Sequence, residues 1–90
     1  MAAPNMETVV SLIKARLNRA TADTSLDDYL MKRARAARDE LERIGITLDD
    51  SNGDTLLLVD FAVWQYQNRD KPGSMPDWLR LRRRERWLQQ

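Results

Sequence analysis

From Asn5 onward, Met6, Val10, Ile13 and Leu17 recur at spacings of four, three and four, which places them on one face of a first helix. Asn5 suits the N-cap and Glu7 the first turn, where a negative charge complements the helix dipole. The stripe stops near Asn18 to Ala20, and Thr21 to Thr24 reads as a short polar connector. A second stripe, Leu30, Ala34, Ala37, Leu41 and Ile44, predicts a helix close to Leu26 through Ile44. Its expected start is a capping-box-like S-L-D-D at Ser25, with Asp28 where Glu or Gln is usual. Its expected end is Gly45 in a left-handed C-cap, with Ile46 folding back on the last turn as in a Schellman motif.

The third element breaks the amphipathic rule. T-L-L-L-V-D-F-A-V-W-Q-Y, from Thr55 to Tyr66, is apolar on nearly every side and interrupted mainly by Asp60 and Gln65. Such a helix must be covered all round. A chain of 90 residues has few elements to do the covering, so part of the cover is expected from another copy or a partner. Asp54 reads as the cap of this helix, which should reach Asn68 or Arg69; Asp60 and Gln67 form its polar edge. D-K-P-G-S at Asp70 to Ser74 is a breaker-rich loop, and Pro76 fits the first turn of a last helix. There, Trp78, Leu81, Glu85 and Leu88 share one face while Leu79, Arg83, Arg86 and Trp87 lie elsewhere. So poor an amphipathic pattern predicts a segment that packs on a neighbour or frays.

The expected architecture is all-α: a small helical bundle of about four helices with a central apolar helix. Residues 1–79 would form the domain and residues 80–90 a basic arm. With 42% hydrophobic and 32% charged residues the chain is globular rather than disordered, and three Gly and three Pro leave little room for a turn-rich β fold. Neither Cys nor His occurs, which excludes disulfides, thiolate sites, nucleophilic triads and the usual neutral-pH proton shuttle. The start, M-A-A-P-N-M-E, lacks the pattern of a signal peptide, and the longest apolar run is too short to span a bilayer. A soluble intracellular protein is expected, with no membrane partner.

Net charge of +1 conceals an asymmetry. Asp49, Asp50, Asp54, Asp60, Asp70 and Asp77 make the middle acidic, while Arg80, Arg82, Arg83, Arg84 and Arg86 face only Glu85 at the end. This favours head-to-tail contact between copies, or a polyanionic partner for the end alone. On the second helix, Asp28 to Lys32 and Asp39 to Arg43 have the acid-first order of favourable i, i+4 pairs, worth only about 0.2 to 0.5 kcal/mol each.

Four candidate chemistries were weighed on these residues. The loop L-D-D-S-N-G-D fails as a calcium loop, because aligning Gly53 puts Leu48 and Val59 where carboxylates must stand. Asp60 has no neighbouring titratable group to form an acid/base pair and reads as the partner of an arginine. Trp64, Tyr66, Trp78 and Trp87 read as core or interface rather than a ligand box. The strongest candidate is the basic end, where Arg80, Arg82, Arg83, Arg84, Arg86 and Trp87 combine the side chains that dominate interface hot spots with those that suit phosphate contact and base stacking. Subunit or partner docking is the preferred reading, ahead of a solvated tail and of nucleic-acid contact. No catalytic, cofactor or metal site is expected, and no small-molecule substrate.

The order of elements also resembles a known family. L-I-K-A-R-L at Leu12 to Leu17, S-L-D-D-Y-L at Ser25 to Leu30, the Ala34 and Ala37 helix ending at I-G-I, the apolar helix with Ala62 and Tyr66, the closing Asn68 and Arg69, and M-P-D-W-L at Met75 to Leu79 are similar to the small helical head-tail connector (head-completion or adaptor) proteins of tailed bacteriophages and prophages. The match spans roughly residues 9–81. It implies a structural, non-enzymatic virion protein, assembled in the bacterial host cytoplasm as a homo-oligomeric ring beneath the portal protein. The ring would extend the DNA channel, with contact to channel DNA possible, and dock the tail-side connector protein. The Arg-rich end is outside the family pattern. The alternative is a small DNA-binding or DNA-packaging accessory protein that uses the Arg-rich last helix.

Overall fold

The computed structural model describes residues 3–17, 25–68 and 75–89. It contains four helices: α1 (Met6–Arg16), α2 (Asp27–Arg43), α3 (Asn52–Gln67) and α4 (Asp77–Leu88). Among the described residues there is no strand, so the fold is the all-α bundle of about four helices that the periodicity predicts. The connector at 21–24 and the breaker loop at 70–74 lie outside the described residues.

Local chemistry sets most boundaries. The Asn5 side chain accepts from the backbone N–H groups of Glu7 and Thr8 at 3.0 and 3.2 Å, capping α1 as expected. α2 ends in the expected Schellman motif: Ile46 N–H donates to the Leu41 carbonyl and Gly45 N–H to that of Glu42, both at 3.0 Å. Gly45 has φ of 100°, a left-handed value that a residue with a Cβ adopts only under strain.

Other details depart from the sequence reading. Leu26, not Ser25, occupies the N-cap of α2 and makes no side-chain cap bond; the Asp27 carboxylate that opens the helix pairs with the Lys14 ammonium at 2.5 Å. Ser51, not Asp54, caps α3, its hydroxyl accepting from Asp54 N–H at 3.2 Å. Pro76 is the N-cap of α4 rather than a member of its first turn. Ile44 turns outward at the end of α2, and Ile46 takes the core position beyond it. The i, i+4 pairs from Asp28 to Lys32 and from Asp39 to Arg43 are not closed among the described residues; Asp39 instead lies 3.6 Å from Arg38.

The core is built around α3. Val9 and Ile13 of α1, Leu30, Ala34, Ala37 and Leu41 of α2, and Leu79 of α4 are all buried against Leu57, Leu58, Phe61 and Ala62. Phe61 and Trp64 stack with ring centroids 6.1 Å apart, and Tyr29 meets Tyr66 edge-on at 5.9 Å. Three helices covering three sides suffice. Of the large apolar residues of α3 only Leu56 is exposed, at 48%. The expectation that α3 needs a second copy to cover it is therefore corrected. The wheel counts apolar positions but omits Arg82 and Arg86, whose heads reach carboxylates on α3 from the facing helix; the aliphatic stems of such side chains cover apolar surface. No helix among the described residues is long and apolar enough to cross a membrane.

Candidate functional site

The basic end is the outer part of α4, continuous from Asp77, and only α3 among the helices packs against it. Leu79 is completely buried, and residues 82 and 86 follow it on the same face at helical spacing. The inward face thus reads Leu79, Arg82, Arg86, a combination the sequence reading had not grouped.

Both arginines are anchors. Arg82 donates to Asp60, whose other carboxylate oxygen accepts from Arg16 of α1, so one aspartate on α3 clasps the two helices that flank it. Asp60 is thereby the arginine partner expected of it. Arg86 grips Asp54 with two bonds, Nε to Oδ1 at 2.7 Å and Nη2 to Oδ2 at 3.0 Å, and its Nη2 also donates to the Thr47 carbonyl at 2.8 Å. Asp54 Oδ2 accepts in turn from Asp49 N–H at 2.8 Å, and Asp49 Oδ1 from Ser51 N–H at 2.8 Å. The D-D-S-N-G-D turn is thus a docking block for Arg86. Hydrogen bonding to Asp54 holds the Arg86 pKa above its ordinary value, and bonds from Ser51 hold that of Asp49 below its own.

The remaining members of the candidate set make no ion pair with the other helices among the described residues. Arg80 pairs with Asp77 one turn back at 2.6 Å. Arg83 and Arg84 have no ion pair or hydrogen bond among the described residues. Together with Leu81, Trp87 and the outward Ile44 of α2, these three arginines line an open groove of about 520 Å³. Trp78, Leu81, Trp87 and Leu88 are each about half exposed or more, from 49% to 62%. A 12-residue helix showing four large apolar side chains to water is a concentration that ordinary surfaces avoid.

The structure therefore splits the six candidates. Arg82 and Arg86 hold α4 on the body; Arg80, Arg83, Arg84 and Trp87 gather in one place. Two residues escaped the sequence reading. Lys14 is buried at 4% exposure, and its place on the wheel beside Val10, Ile13 and Leu17 was the available signal. Ile44 joins the groove because a Schellman ending makes Ile46, not Ile44, the residue that returns to the core.

No protein-family model, no curated protein and no solved structure matches this chain.

Proposed function

We propose that the chain is a structural subunit of a phage or prophage head-tail connector, assembling as a ring beneath the portal, extending the DNA channel and docking tail-side proteins. The observation that carries this reading is the firmly docked α4 with an uncovered outer side, where Leu81 and Trp87 stand beside Arg80, Arg83 and Arg84 in one groove and Trp78 and Leu88 are also half exposed or more. A helix fixed to its domain by Leu79, Arg82 and Arg86 presents these side chains in a set geometry, which lowers the ordering cost of docking. Aromatic and arginine side chains are the ones that dominate protein interfaces. The element order and the all-α bundle are those that the connector resemblance implies.

Electron microscopy of the chain, alone and mixed with portal rings from a tailed phage, tests the reading. The expected result is ring-shaped particles with an axial channel, or added density beneath the portal. Neither rings nor portal binding at any concentration would contradict it.

The convergence of Arg80, Arg83, Arg84 and Trp87 in one groove supports a second reading, a small DNA-binding or packaging accessory protein. That reading predicts duplex affinity falling steeply with salt, by a slope that shrinks by about 0.9 for each phosphate-contacting arginine replaced. Absence of duplex binding at low salt removes it.

A further inference from the structure

The acids buried between the helices are consumed internally. Asp54 and Asp60 face Arg86, Arg16 and Arg82, and Asp27 faces Lys14. The acids left without an ion pair among the described residues include Glu7 and Asp28, both exposed. These two line a second depression, of about 280 Å³, that runs along α1 from Glu7 to Lys14 beside the start of α2. Its apolar wall is Val10 and Met31; Lys14 and Asp27 neutralise each other within it, leaving it net negative.

The two depressions are complementary in kind. One is basic with Leu81, Trp87 and Ile44 as apolar surface; the other is acidic with Val10 and Met31, and a methionine adapts readily to an inserted aromatic ring. They also sit at opposite ends of α2: Ile44 lies past its C-terminus, Asp27 and Asp28 in its first turn. Seventeen residues separate the ends by about 25 Å. Matching surfaces at opposite ends of one rigid element cannot meet within a chain.

We infer that the outer side of α4 in one copy docks into the crevice between α1 and the start of α2 in the next, with Arg83 and Arg84 opposite Glu7 and Asp28 and Trp87 against Val10 and Met31. This rests on the assembly reading and names its partner as a second copy of the chain. The contact is heterologous, so successive copies close into a ring if the rotation closes and otherwise extend as a filament.

The test uses two full-length variants, Arg83→Glu/Arg84→Glu and Glu7→Lys/Asp28→Lys, with Glu7→Gln/Asp28→Asn as a milder form because acids favour helix starts. Circular dichroism and thermal melting establish that each folds. Sedimentation at low salt is expected to show self-association weakened about a hundredfold in each. Mixed one to one, Arg83→Glu/Arg84→Glu and the neutral Glu7→Gln/Asp28→Asn variant retain one intact surface each and should form a two-chain species and nothing larger, whereas the two reversal variants, whose exchanged charges are again opposite, should regain assembly beyond two chains. The inference is overturned by a mixture that stays monomeric, by unmixed reversal or neutral variants that assemble like wild type, or by a wild-type chain that is monomeric at every concentration. A monomer whose duplex binding is lost in Arg83→Glu/Arg84→Glu also overturns it and assigns the groove to nucleic acid. Portal binding, measured separately on the wild-type chain, reports on the connector reading, so either idea can fail without the other.

Discussion

Asp54→Ala is expected to destabilise the fold by about 3 to 5 kcal/mol, the range for removing one partner of a buried ion pair. The Asp54 and Arg86 side chains are 6% and 17% exposed, and the truncation strands both the guanidinium and the Asp49 N–H that the carboxylate satisfies. For a domain of this size each kcal/mol shifts the melting temperature by about 4 to 8 °C, so the drop is on the order of 20 °C. Adding Arg86→Met is expected to restore part of the loss, because no unpaired charge then remains under α4. Thermal or urea unfolding of the two variants checks this. A single variant within about 1 kcal/mol of wild type would mean that α4 is not held by this pair.

Phe61→Ala is expected to cost about 3 to 5 kcal/mol, the transfer and cavity terms of a buried aromatic ring, and to leave little folded protein at 37 °C. Phe61 is 1% exposed, at the middle of α3 and stacked on Trp64. The prediction separates core from interface. If α3 were a surface awaiting another copy, losing its ring would weaken assembly and leave the monomer stable. With α3 enclosed by α1, α2 and α4, unfolding is the result expected, while Leu56→Ser, at its one exposed large apolar residue, changes stability little. A cooperative unfolding transition for Phe61→Ala at the wild-type temperature would contradict the enclosed arrangement.

The fold was largely legible because its signals are local. The Leu30, Ala34, Ala37 and Leu41 stripe is fully buried, Asn5 caps α1, and I-G-I encodes the end of α2. What escaped was decided by tertiary partners. Asp54 looks like a cap because it precedes an apolar run, yet Ser51 caps the helix and Asp54 is drawn to Arg86, 32 residues away. The inward face of α4 is hidden from the sequence for the same reason. A hydrophobic count favours Trp78, Leu81 and Leu88, whereas two half-buried arginines beside Leu79 form the inward side once Asp54 and Asp60 wait on α3. Uncovered apolar surface, expected from the sequence on both the third helix and the poorly amphipathic last one, is concentrated on the fourth.

The candidate site was legible as composition but not as geometry. Five arginines and a tryptophan mark the segment, yet only contacts distinguish Arg82 and Arg86, which grip the body, from Arg83 and Arg84, which stand free of it among the described residues. The acidic crevice left no mark, because Glu7 and Asp28 are 21 residues apart and look like ordinary first-turn acids.

The claim on which the functional account rests is that the outer side of α4 exists to be covered by another protein chain. Sedimentation velocity of the full chain across a wide concentration range, beside a Leu81→Ser/Trp87→Ala variant of equal thermal stability, tests it most directly. The account predicts a wild-type mass that rises above the 10.5 kDa monomer with concentration and a variant that stays monomeric. Identical mass distributions for the two chains would contradict it.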